Sequence, residues 1–241
     1  MIVDAHQHYW AASEFHRLEG PHEPDDLRGA LSAAGVDATV LVQAVDEGAE
    51  NERLAAYARA TPTVAGVVAW PGAPFREIPR LVGVRSLAAR DQFDFELPED
   101  LVLDVVPIAV EHVQAVCALA DARPAQRIVV DHLARPPLDG GDWGAWEDGI
   151  RALAARPNVA MKVSVGVAVL AHWKWDGDAL ARPVDHALDC FGTERLMLAS
   201  NWPVVLMRSS YLEAWADLAG AVGHDPDVLG QTAARWYRVQ T

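Results

Sequence analysis

The sequence predicts an α/β protein folded as a single (β/α)8 TIM barrel over residues 1–241. Three observations predict it. Short β-branched runs alternate with alanine-rich stretches of helical length, the pattern of βα units around a parallel sheet. Eight such runs can be counted, and 241 residues is about the size of one such barrel. Polar side chains sit at the C-terminal ends of runs that are far apart in the chain, which is where barrels of this kind do chemistry.

The first strand is Ile2 to Ala5, an apolar opening that leads into Asp4-Ala5-His6-Gln7-His8. A helix over Asp25 to Ala34 separates it from the second strand, Ala38 to Gln43, and a helix over Glu50 to Ala60 precedes the third, Val64 to Trp70. The fourth strand is Leu81 to Arg85 and the fifth Leu101 to Val106. The intervals after Trp70 and after Arg85 are short and rich in Pro, Arg, Phe and Asp, so they read as loops or single turns. The third and fourth βα units are therefore expected to be degenerate. A wall thinned there leaves barrel surface open, and homo-oligomerisation through that side follows as an expectation. Helices over Val110 to Ala122, Trp143 to Ala155, Gly177 to Cys190 and Tyr211 to Val222 alternate with strands at Arg127 to Asp131, Val159 to Val163 and Leu196 to Ser200. No internal repeat or linker divides the chain.

Composition narrows the function. Hydrophobic residues make up 51% of the chain, enough for a large core. A net charge of −14 opposes nucleic acid and anionic membranes as partners, since both reward Lys and Arg, and leaves small molecules. Asp4 and His6 interrupt the start, so no signal peptide is read, and the longest apolar stretch, Val165 to Ala171, is too short to cross a bilayer. Cys117 and Cys190 have no CxxC spacing and read as thiols in a reducing cytoplasm.

If residues 2–6 are extended, His6 and His8 at i and i+2 share one side of the strand, where they can hold a metal or a substrate. The other strand ends carry Gln43, Trp70, Arg85, Asp104, Asp131, His132, Lys162, Ser164, Asn201 and Trp202. Each has a plainer use: Gln43 and Ser164 satisfying backbone groups, Trp70 and Trp202 covering the core, Asp131 capping a loop, Arg85 pairing with a surface acid. Their convergence on one end of one barrel favours a site.

Several of these residues stand in recognisable motifs. Asp4-Ala-His6-Gln-His8-Tyr-Trp10, Leu41-Val-Gln43-Ala44, Gly83-Val-Arg85, Val129-Val-Asp131-His132-Leu-Ala-Arg-Pro136 and Pro157-Asn-Val-Ala-Met-Lys162-Val-Ser164 resemble those of the amidohydrolase superfamily. The resemblance is to the amidohydrolase-2 group, which contains sugar-acid lactonases and 2-pyrone-4,6-dicarboxylate lactonase. It continues through Asp189 to Val204 and closes on Arg235-Trp236-Tyr237.

The resemblance implies a lactone or related acidic carbonyl compound at the barrel mouth. His6, His8 and His132 would contact it or polarise its carbonyl, and Arg85 would anchor a carboxylate. Strand eight of the family usually reads Ser-Asp-Trp-Pro, its aspartate taking a proton from the attacking water; here the position is Asn201. A carboxamide cannot serve as a general base. It also weakens the case for a metal, because His6 and His8 alone are an incomplete ligand set, His132 would be a third, and Lys162 would help only if carbamylated.

The expected function is accordingly a metal-independent hydrolase with no cofactor, acting on an anionic small molecule. His132 or His8 would replace the missing base, with the other imidazole and Lys162 stabilising the oxyanion, Asn201 orienting water or the carbonyl, and Gln43, Trp70, Arg85, Ser164 and Trp202 lining the substrate site. The alternatives are one zinc ion at His6 and His8, a non-hydrolytic decarboxylase, dehydratase or cyclase, and a catalytically inactive binder.

Overall fold

All eight strands form in the computed structural model, which describes residues 1–241 apart from 12–17, 19, 45–48, 72–76, 88–96 and 240–241. They are β1 (Val3–Gln7), β2 (Ala38–Val42), β3 (Val64–Ala69), β4 (Leu81–Leu87), β5 (Val102–Val106), β6 (Ile128–Val130), β7 (Val159–Val163) and β8 (Leu196–Leu198). They pair in chain order, every pair parallel. The barrel closes just beyond the strand ends, where Asn201 N donates to the His6 carbonyl at 2.9 Å and His8 N to that of Trp202 at 2.8 Å.

The helices are α1 (Pro24–Ala34), α2 (Glu50–Ala60), α3 (His112–Ala122), α4 (Trp143–Ala154), α5 (Val167–Leu170), α6 (Ala181–Phe191), α7 (Tyr211–Ala221) and α8 (Thr232–Tyr237). Asp142 and Ser210 start α4 and α7 by accepting hydrogen bonds from Ala145 N and Glu213 N, and Gly35 ends α1 at φ 68°, a left-handed position that favours glycine. The helix read from Gly177 begins later, with a tight turn at Asp178–Leu180 ahead of α6. The short α5 and α8 were not expected. Between β3 and β4, and between β4 and β5, the described residues contain no α-helix; residues 72–76 and 88–96, on which much of that expectation falls, lie outside them. No described helix is long and apolar enough to cross a membrane.

Strand alternation sorts the core into two shells. Val40, Val42, Val68, Val102, Val129, Ala160, Met197 and Ala199 pack together inside the barrel, with Ala233 and Tyr237 of α8 among them. Leu41, Val67, Val84, Leu103, Val105, Val130, Met161 and Leu198 face outward, onto helix residues such as Leu27, Leu54, Val116, Ile150 and Leu218. Val and Ala predominate inside, as a narrow cylinder requires, while Leu and Met join Val on the outside under the helical jacket. Two residues further along the inner alternation come Asp104 after Val102, Asp131 after Val129 and Lys162 after Ala160. Three charged groups therefore rise in one layer above an apolar floor, each fully buried.

β1 breaks its alternation on purpose. Val3 and Ala5 belong to the inner shell, so a regular strand would turn His6 outward. The β1–β2 register shifts between Asp4 and Gln7, and a bulge of this kind re-aims a side chain. Asp4 instead points away, accepting from Ser200 N at 2.9 Å and Ser200 Oγ at 2.6 Å. This ties β1 to the end of the last strand.

Candidate active site

Lys162 stands at the centre of the buried charges. Its Nζ donates to Asp104 Oδ2, lies 3.0 Å from Asp131 Oδ1 and 3.1 Å from His6 Nδ1. It is hydrogen-bonded to Asp104, faces His6 Nδ1 and is ion-paired with Asp131, whose carboxylate oxygens have no hydrogen-bond partner. Asp104 is held from below by the Tyr237 hydroxyl, donating at 2.7 Å, and Asp131 from the side by Arg85, whose Nε is 3.2 Å from Oδ2. Arg85 is fixed further by donating from Nη1 to the Gln43 carbonyl at 2.8 Å.

Above this layer lie three imidazoles. His6 Nε2 is 3.1 Å from His8 Nε2, and the rings of His6 and His132 have centroids 4.6 Å apart. His8 Nδ1 contacts the Val42 carbonyl and His132 Nδ1 the Ser164 hydroxyl, both at 2.8 Å. Residues His132 to Arg135 all have positive φ, between 50° and 62°, a left-handed run that costs free energy in non-glycine residues and that turns His132 back over the barrel mouth. Gly166 accommodates it: a Cβ there would come within 3.0 Å of the His132 ring.

Burial governs the protonation states. It drives His6 well below the usual imidazole range, helped by the charge of Lys162, and drives His8 and His132 down to about 3, with Arg85 contributing to both. All three rings are therefore neutral near pH 7. Burial pushes Asp131 upward, but Lys162, His6 and Arg85 outweigh it and hold the carboxyl well below its usual range. Asp104 is raised by burial to about 6 in spite of Lys162. Two cations, Arg85 and Lys162, face two acids here, so their charge is largely compensated.

The structure brings His6, His8, His132, Lys162, Arg85 and Ser164 together. Gln43 joins them through its carbonyl. Asn201 is buried at the end of β8, its Nδ2 donating to the Val165 carbonyl at 2.9 Å and its Oδ1 without a hydrogen-bond partner. Trp202 packs instead edge-on against Tyr9 and His22, with ring centroids 5.9 and 5.6 Å away, and Trp70 is held through its backbone by the Asn51 side chain. Trp202 reaches the imidazole cluster through its backbone, its carbonyl accepting from His8 N at 2.8 Å. Lys162, hydrogen-bonded to Asp104, ion-paired with Asp131 and 3.1 Å from His6 Nδ1, lies under the imidazoles. Sequence reasoning counted Asp131 among the converging strand-end groups without giving it a chemical role, and met Tyr237 only in a closing motif, not in the site. The usable signal was charge on the inner face of otherwise apolar strands, which must be paired.

His6, Asp131 and His132 place ligand atoms within 4.8 Å of one another, so a divalent cation has to be considered. The donor set fits one poorly. Both Asp131 oxygens face cationic side chains and His6 Nδ1 faces an ammonium. A carbamate on Lys162 would set a further anion against Asp104 and Asp131, and strand eight contributes the neutral Asn201.

The amidohydrolase family profile matches residues 98–239. An L-fucono-1,5-lactonase of Burkholderia ambifaria is 30% identical over 98% of this chain and 95% of its own length. A crystal structure of an amidohydrolase from Burkholderia multivorans with bound zinc superposes with a TM-score of 0.87 at 26% identity, covering 100% of both chains. A structure described as a probable 2-pyrone-4,6-dicarboxylic acid hydrolase from Acinetobacter baumannii, with citric acid bound, reaches 0.75 at 16% identity over 98% of this chain and 99% of the other, a likeness of fold.

Proposed function

The chain belongs to the amidohydrolase family, and from that premise we propose that it is a hydrolase that opens the lactone ring of a sugar acid without a metal ion. The observation that carries the proposal is the stack of three neutral imidazoles above the Lys162–Asp131–Arg85 network, in a chain similar over nearly its whole length to a lactonase. Water attacks the lactone carbonyl while His132 accepts its proton at Nε2, Nδ1 remaining on Ser164. Asp131, next in the chain and ionised, stabilises the imidazolium. Arg85 stabilises the negative charge that develops on the carbonyl oxygen and receives the carboxylate formed when the product acid loses its proton to solvent. Collapse breaks the bond to the ring oxygen, which takes the proton back from His132. Asn201 presents its unpaired Oδ1 to water or to a substrate hydroxyl.

A second reading is favoured by Asn201 itself. Strand eight offers no base, which suits a reaction that must avoid activating water, such as decarboxylation or dehydration. The test is a panel of sugar-acid 1,4- and 1,5-lactones followed by NMR, run on chelator-treated protein and again after adding zinc or manganese. Ring opening by the chelated protein supports the proposal. Turnover lost on chelation and regained with metal overturns metal independence, and no opening of any lactone, with carbon dioxide or water released from acidic substrates, favours the second reading.

A further inference from the structure

We propose that Lys162 is a positioning residue that fixes the tautomer of His6 with its proton on Nε2, making His6 a hydrogen-bond donor at the imidazole pair and disfavouring a divalent cation there. The argument runs along one chain of contacts whose ends are unambiguous. At one end the Val42 carbonyl can only accept, so His8 Nδ1, 2.8 Å away, carries the proton. With the proton on Nδ1, the imidazole turns its Nε2 lone pair toward His6. His6 Nε2, 3.1 Å from it, must then be the donor. At the other end an ammonium can only donate, so His6 Nδ1, 3.1 Å from Lys162 Nζ, is the acceptor. Both ends require the same tautomer. The competing arrangement, a proton on His6 Nδ1 directed at Asp131 Oδ1, would span 3.4 Å and set an N–H against the lysine.

The consequence concerns metal. A cation at the pair needs lone pairs on both Nε2 atoms. His6 would have to carry its proton on Nδ1, facing Lys162, which is held in place by Asp104 and Asp131. The zinc-bound relative makes the point worth measuring, since the family fold alone does not exclude an ion. The inference does not depend on which reaction the site performs, and its readouts need no substrate.

The experiment has two parts on the full chain. In histidine-labelled wild type, nitrogen-15 NMR at pH 7.5, assigned with His6→Gln, should show the His6 proton on Nε2. Zinc titration against a chromophoric chelator should then show Lys162→Met binding zinc about 10- to 100-fold tighter than wild type, the usual scale of effects from groups that orient a metal-binding histidine. A wild-type spectrum with the proton on Nδ1 overturns the inference, as does equal zinc affinity in a folded Lys162→Met. If that variant does not fold because Asp104 and Asp131 lose their partner, the wild-type spectrum decides alone.

Discussion

Asn201→Asp tests how the end of β8 is built. The amide donates from Nδ2 to the Val165 carbonyl at 2.9 Å in a site that is 1% exposed. An ionised carboxylate would lose that bond, about 1 kcal/mol, and leave a buried carbonyl facing an anion, about 1–3 kcal/mol more. A protonated carboxyl can still donate to Val165. The introduced group should therefore be held above its usual pKa, so the sign follows directly: the variant is close to wild type in stability below about pH 4 and loses about 2–4 kcal/mol as pH rises through the raised pKa. Urea unfolding at pH 4, 6 and 8 measures this. Lactone hydrolysis, followed over the same range, should gain with pH toward the order of 10²-fold, the scale of general-base catalysis. A stability loss that is absent at pH 8 would refute the reasoning, because it would mean the amide does not make the Val165 bond. A stability loss as expected with slower native turnover at every pH would place Asn201 in a reaction that excludes water.

Two further outcomes follow from the same geometry. Arg85→Met removes a guanidinium paired with Asp131 and hydrogen-bonded to the Gln43 carbonyl, and should weaken inhibition by the sugar-acid product about 10- to 100-fold, the equivalent of one charge-assisted hydrogen bond, while Lys162 keeps Asp131 paired; unchanged product inhibition returns Arg85 to a structural role. Acid should destabilise the fold: His8 and His132 at about 3 and His6 well below 6.5 give stability that is full above pH 6.5 and is lost as pH falls, whereas Asp4 and Asp104, raised to about 6, work in the opposite direction between pH 6 and 4. Three groups against two leaves a net uptake near one proton on unfolding, or about 1.4 kcal/mol lost per pH unit, measurable as a falling urea midpoint from pH 6.5 to 4.5. A midpoint that stays level would mean these imidazoles are not held neutral.

The barrel was legible because its signals are local. Runs such as Thr39-Val40-Leu41-Val42 and Val102-Leu103-Asp104-Val105-Val106 declare a strand within five residues or so, and each became one within a residue or two of its expected ends. The less regular pieces were not legible. α8 spans only Thr232–Tyr237, and what holds it is not its own propensity but the burial of Ala233 and Tyr237 in the floor of the barrel, a contact across almost the whole chain.

The site divides along the same line. His6 and His8 were rightly placed on one side of their strand by the i, i+2 rule, but the rule would have set them opposite Val3 and Ala5; only the register shift in β1, which no short motif announces, sends both pairs to the inside. Asp104, Asp131 and Lys162 each sit two residues beyond an inner-shell apolar residue, so their common height was present in the spacing Val102-x-Asp104, Val129-x-Asp131 and Ala160-x-Lys162. What spacing could not supply was which charge meets which. β5, β6 and β7 are adjacent, so Asp131 neighbours both flanking strands, whereas Asp104 and Lys162, two strands apart, meet only when the sheet curls, and Arg85 on β4 completes the balance. Lys162 is then more than a counter-ion: the same closure that pairs it with two carboxylates brings its Nζ to 3.1 Å from His6 Nδ1, so the tautomer of the histidine above is set from the layer beneath it.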